Sequence, residues 1–185
     1  LSKVLSSPRL SLFVEWLIST PLIQKNLNYV MSHAGLHPSW SLNKAIELSN
    51  SFCESLYKDP EHTLKSMYGN EPKSWSNDLN KRDQHRMTVN TMTRMRCLNK
   101  SEQLDFKYKG SLNDIPKNLK PWFCFDTERH SNETLITGHW SAIGYYEHTL
   151  GFCLDTGCVW GGQLTALSLD TKKIFSVKAD TRDLA

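Results

Sequence analysis

Leu27-Asn28-Tyr29-Val30-Met31-Ser32-His33-Ala34-Gly35 is the stretch from which the fold can be read. Leu27 to Met31 reads as a short buried strand, because a brief apolar run bounded by small residues is what a covered strand looks like. Ser32-His33-Ala34-Gly35 then places small residues at the strand's carboxyl end, where open α/β sheets keep their chemistry. Upstream, Ser7-Pro8 reads as an N-cap followed by proline at the first helical position. Leu10, Phe13, Val14 and Leu17 share one helical face, so a helix is expected to run to about Thr20, where Pro21 stops it.

Downstream, Pro38 opens a turn, and Leu42, Ala45, Ile46, Leu48, Phe52 and Leu56 support a second helix. Asp59-Pro60 starts a short helix ending near Tyr68-Gly69, and residues 70–80 are polar loop. Arg82 to Arg94 is expected to be helical with Met87 and Met92 inward, leaving Lys81-Arg82 and His85-Arg86 on an exposed face. The pattern then shifts to strands. Met95–Leu98 and Leu104–Tyr108 suggest a hairpin, and Leu112 to Trp122, with two prolines, an extended connection. Thr134–Thr137, Phe152–Asp155, Leu164–Leu169 and Ile174–Val177 complete the series, with Asp170 to Lys173 as a turn. The expected class is α/β, with helices first and mainly antiparallel or mixed strands toward the C-terminus, in a single domain over residues 1–185.

Composition narrows the function classes. Of 185 residues 39% are hydrophobic and 22% charged, which is ordinary for a folded domain. The balance of 22 Lys+Arg against 19 Asp+Glu leaves +3, too little to imply a nucleic-acid or membrane partner. No stretch approaches the ~18 apolar residues of a membrane helix, and no signal-peptide pattern is present. Cys53, Cys97, Cys124, Cys153 and Cys158 are odd in number and lack C-x-x-C spacing, which suggests reduced thiols and a cytoplasmic setting. The glycosylation triplets at Asn99 and Asn132 therefore read as chance. Leu1 in place of Met suggests a fragment. No Walker A loop, G-x-G-x-x-G or G-x-S-x-G occurs, which argues against P-loop enzymes, dinucleotide dehydrogenases and elbow-type hydrolases.

Three groups of residues could carry chemistry. His33 and His139 each follow an apolar strand beside small residues, a geometry that suits a metal ligand, although a histidine so placed is more often a hydrogen-bonded structural one. Leu154-Asp155-Thr156-Gly157-Cys158-Val159-Trp160-Gly161-Gly162 puts three glycines around a tryptophan just after a strand. It is either a loop whose backbone approaches a ligand or a tight turn with a packed Trp. Arg94-Met95-Arg96 offers two guanidinium groups, suited to phosphate oxygens or to solvent.

Taken in order, these segments resemble one family. Val30 to Leu36, Met67-Tyr68-Gly69-Asn70 with Trp75, Thr93 to Arg96, Leu119 to Phe123, Gly138-His139-Trp140 and Leu154 to Gly162 are similar to the symmetrical diadenosine tetraphosphatases of bacteria, metallophosphoesterases related to Ser/Thr protein phosphatases. The resemblance implies the C-terminal part of an α/β sandwich. It also implies a two-metal centre, with manganese, cobalt or a similar divalent ion, that cuts diadenosine tetraphosphate symmetrically to two ADP. Two cations about 3.5–4 Å apart can hold a nucleophile in line with phosphorus and offset the charge of a polyphosphate. Carried over, His33 and His139 match the two histidines of the second metal, and Arg94 or Arg96 a phosphate-binding arginine. Tyr68, Asp155 and Trp160 would line the substrate side.

The family's Gly-Asp-x-His-Gly, Gly-Asp-(loop)-Arg-Gly and Gly-Asn-His-Asp motifs, which supply the remaining ligands and the general acid, do not occur in these 185 residues. No catalytic residue is assigned within them, and the chain by itself is expected to be inactive or nearly so. A protein phosphatase of the same superfamily and a degenerate nucleotide-binding module are the alternatives.

Overall fold

The computed structural model describes residues 2–125 and 133–183. Helices α1 (Ser2–Leu5) and α2 (Leu10–Ser19) lead into a β1–β2 hairpin (Ile23–Asn26, Tyr29–Ser32). Helices α3 (Leu42–Lys58), α4 (Pro60–Met67) and α5 (Lys81–Arg94) follow. The remaining strands are β3 (Cys97–Asn99), β4 (Leu104–Asp105), β5 (Leu119–Pro121), β6 (Thr134–Thr137), β7 (Tyr146–His148), β8 (Gly151–Cys153), β9 (Gln163–Leu167) and β10 (Ile174–Lys178). The fold is mixed α/β, as the sequence implied.

Among the described residues three sheets are formed. The largest has the order β1-β2-β6-β8-β7, with β2, β6 and β8 parallel and the two edge strands antiparallel. A second sheet runs β4-β3-β5, and β9 and β10 form a separate two-stranded ribbon. In the first sheet Val30 faces Leu135 and Met31 faces Ile136, so β2 and β6 end side by side. That register brings the residues after the two strands, His33 and His139, to one rim.

The core explains why α5 takes its place. Met87 and Met92 are fully buried and join Val30, Leu36, Trp40, Met95, Leu98, Trp122 and Trp140 in one cluster. Thr88 returns its hydroxyl to the Gln84 carbonyl, which lets a polar side chain stay buried inside the helix. The predicted exposed face at His85-Arg86 is not found. His85 is buried with Nε2 3.1 Å from the Ser51 hydroxyl, and Arg86 donates to the carbonyls of Ser66 and Glu71. Helix α5 is enclosed by α3 and α4, and its polar groups find partners there.

Four other expectations shift. The α2 N-cap position falls on Arg9 rather than Ser7, although the Ser7 hydroxyl accepts the Arg9 N–H at 3.1 Å. The inward face expected of α2 is exposed at Phe13, Val14 and Leu17. Leu27 is a turn residue with φ 52°, so the strand starts at Tyr29 and pairs with a β1 that the pattern did not reveal. Residues 112–122 are not a plain connection, because Leu119–Pro121 adds a strand to β3. Asn132, the acceptor of the second glycosylation triplet, lies outside the described residues.

Candidate functional site

The sequence from Ser32 to Gly35 leaves β2 and docks on the end of α5. Ala34 N–H donates to the Met92 carbonyl at 2.7 Å, and the Ser32 hydroxyl lies 3.3 Å from the same oxygen. Gly35 is required by close approach. A Cβ there would stand 2.6 Å from the Trp122 ring, which packs against the turn. His33 is thereby held exposed at the rim, and its carbonyl accepts the Gly138 N–H at 2.8 Å. This bond ties the two histidine-bearing turns together.

His139 carries φ 64°, a left-handed conformation that a non-glycine residue adopts at a cost of about 1–2 kcal/mol. Its ring centroid stands 5.1 Å from that of His33, with planes inclined at 58°. The His139 Nε2 is 3.1 Å from the Arg94 carbonyl, one of the free carbonyls at the end of α5. A carbonyl only accepts, so Nε2 carries the hydrogen and Nδ1 keeps a free lone pair. Burial, then the charge of Arg96 and the nearby His33, press the His139 pKa down to about 4. The ring is neutral at pH 7, the form a divalent cation needs.

The two arginines differ in surroundings. Arg94 donates from Nη1 to Asn90 Oδ1 at 2.8 Å and to the Gly69 carbonyl at 3.3 Å, and from Nη2 to Asn70 Oδ1 at 2.9 Å. Its guanidinium carbon lies 4.3 Å over the Phe106 ring. Arg96 has a buried Nε with no hydrogen-bond partner among the described residues. Burial lowers its pKa, with the Asp155 carboxylate acting the other way. Asp155 also acts on His139 and has its Cβ 3.5 Å from where a Gly138 side chain would begin. The rim therefore holds His33, His139, Arg96 and Asp155.

Tyr68 and Trp160 are reached less directly. Tyr68 is 71% exposed, one residue before the Gly69 carbonyl that Arg94 grips. Trp160 is 81% exposed on a 3₁₀ turn that starts after Gly157, a glycine at φ 71° whose N–H donates to Asp155 Oδ1 at 3.0 Å. Asn90 and Asn70 anchor Arg94; the pattern missed Asn90 and quoted Asn70 only within the 67–70 motif, without this role. Only the i, i+4 spacing of Asn90 and Arg94 on α5 could have signalled one of them.

Whether the residues fit a metal can be judged from the donors. Two inclined imidazoles at this separation, one with its lone-pair nitrogen fixed, suit two positions on one cation. Among the described residues no group of three or more His, Cys, Asp or Glu converges on such a site. The pair fits part of a metal centre.

No family model matches the chain. Whole-sequence comparison finds proteins named symmetrical bis(5'-nucleosyl)-tetraphosphatase. That of Chromobacterium violaceum is 39% identical over 178 residues, covering 94% of this chain and 63% of the relative. That of Methylobacillus flagellatus is 39% identical over 184 residues, covering 99% and 66%, and that of Legionella pneumophila 42% over 166, covering 88% and 60%. The chain is a homologue of the symmetrical bis(5'-nucleosyl)-tetraphosphatases. It spans less than two thirds of the length of these tetraphosphatases. A crystal structure described provisionally as a diadenosine tetraphosphatase superposes with TM-score 0.51 at 20% identity over 90% of this chain, which is a likeness of fold.

Proposed function

We propose that this chain is part of a hydrolase that cleaves diadenosine tetraphosphate symmetrically to two ADP, in a metallophosphoesterase centre that uses two divalent ions such as manganese or cobalt. The observation that carries the reading is the meeting of His33 and His139, 106 positions apart in sequence, at 5.1 Å on one rim. Homology over nearly the whole chain to proteins of that name supports the substrate class.

In this reading His33 and His139 hold one cation, His139 through Nδ1 while its Nε2–H stays on the Arg94 carbonyl. A divalent ion so held supplies Lewis acidity and offsets the charge of the phosphate chain. One of the two arginines at 94 and 96 places positive charge at the same rim and orients the anionic substrate. Tyr68, Asp155 and Trp160 border it, the two rings offering faces on which a nucleoside base can stack. Two imidazoles are too few ligands for tight binding. These 185 residues by themselves therefore turn over slowly or not at all.

The test is product analysis. The polypeptide translated from the whole reading frame that contains these residues is incubated with diadenosine tetraphosphate and manganese. ADP as sole product supports the proposal. ATP with AMP, or faster release of phosphate from a phosphopeptide, sinks it.

A further inference from the structure

We propose that Arg96, and not Arg94, takes the phosphoryl oxygens of the substrate, and that Arg94 is a positioning residue that fixes the 68–70 turn to the end of α5. The inference rests on the phosphoanhydride reading above and divides the work between two arginines that sequence alone treats as equals.

Arg94 is already engaged. Its two terminal nitrogens make three hydrogen bonds, to Asn90, Gly69 and Asn70, and its plane lies over Phe106. The acceptors come from both sides of the residue: Asn90 from its own helix, Gly69 and Asn70 from the turn that follows α4. Turning this guanidinium toward a ligand would break that set and release the turn that carries Tyr68. It behaves as a strut.

Arg96 is the opposite case. Its backbone is fixed, because its carbonyl accepts the Trp122 N–H at 3.0 Å as the chain enters the second sheet. Its guanidinium makes no ion pair within 4.0 Å and no hydrogen bond among the described residues, and its Nε is shielded from water. Folded proteins leave few buried donors unpartnered, and one at a functional rim calls for an explanation. Its electrostatic neighbours are Cys97, Asp155 and Arg94, and its own charge acts on His139. An anion meeting the planar fork of Arg96 would thus lie beside the imidazole pair.

The experiment is calorimetric titration of this chain with inorganic pyrophosphate, with and without manganese, paired with thermal melts. Arg96→Ala is expected to weaken pyrophosphate at least tenfold, as loss of a charge-assisted bond should, and to leave the melting temperature unchanged or raised. Arg96→Lys should restore only part of the affinity, since an ammonium cannot offer the fork. Arg94→Ala should lower the melting temperature and keep affinity within about threefold. Asn70→Ala, a milder cut in the same strut, should do likewise if Arg94→Ala does not fold. Loss of binding in Arg94→Ala or Asn70→Ala with retention in Arg96→Ala overturns the assignment, as does a wild-type chain that binds no pyrophosphate in either condition. Binding that follows Arg96, with diadenosine tetraphosphate held no better than pyrophosphate, supports the assignment and counts against the dinucleotide reading instead.

Discussion

His139 combines a left-handed backbone, a neutral ring and one fixed nitrogen, and each has a local cause: the Gly138 turn, burial beside Arg96, and the carbonyl at the end of α5. His139→Gly would relieve the backbone strain while removing the imidazole. We expect stability to change by no more than about 1 kcal/mol and manganese affinity to fall at least tenfold, read by calorimetry and by the spin resonance of free manganese. Unchanged affinity would remove this residue from the site. His148 gives a second test. It stacks on Phe123 at 4.4 Å, its Nδ1 accepts the Leu150 N–H, and burial alone lowers its pKa to about 4. The unfolded chain, titrating near 6.5, binds the proton more readily. The resulting stability is fully present above about pH 6.5 and is lost as pH falls toward 4, by at most about 3 kcal/mol. His148→Phe should flatten that acid limb in urea melts measured at several pH values; an unaltered slope would contradict the account. The positions of His33 and His139 at strand ends were legible, because each follows an apolar strand among small residues, whereas only the family resemblance marked them as candidate metal ligands. His148 was not, because nothing in Tyr146-Glu147-His148 marks a buried ring.

Elements were read best where local chemistry and packing agree. Asp59-Pro60 starts α4 as expected, with the Asp59 carboxylate accepting the His62 N–H at 3.1 Å. Asp59→Ala should cost about 1 kcal/mol in thermal melts, and no loss would remove the cap from the account. Helix α3 and the β9–β10 ribbon also fell close to their predicted spans. Strands β1, β5 and β7 were missed because each has only three or four residues and gains its form from a partner strand rather than from alternation. The turn at Gly35 was noted only for its small residues, yet it decides how β2 meets Trp122. Gly35→Ala pushes a methyl group into that ring and should cost about 1–3 kcal/mol, seen as a lower urea midpoint. An unchanged midpoint would show that Trp122 moves freely.

At the scale of the molecule, two apolar surfaces stand out. Helix α2 exposes Leu12, Phe13, Val14, Trp16 and Leu17, and the β9–β10 ribbon with its approach exposes Val159, Trp160, Leu164, Phe175 and Val177. Surfaces of this kind drive association. Sedimentation of this chain should therefore show mass rising with concentration, together with binding of an apolar dye; a monodisperse monomer that binds no dye would contradict this. Neither surface was legible beforehand, since periodicity tells which residues share a face and not whether anything covers it. The central claim is that His33 and His139 serve one cation, and ring-selective nuclear magnetic resonance on the seven histidines tests it most directly. Manganese added in small steps should broaden the ring signals of His33 and His139 together, ahead of the other five. Broadening of one without the other, or of a different histidine first, would contradict the claim.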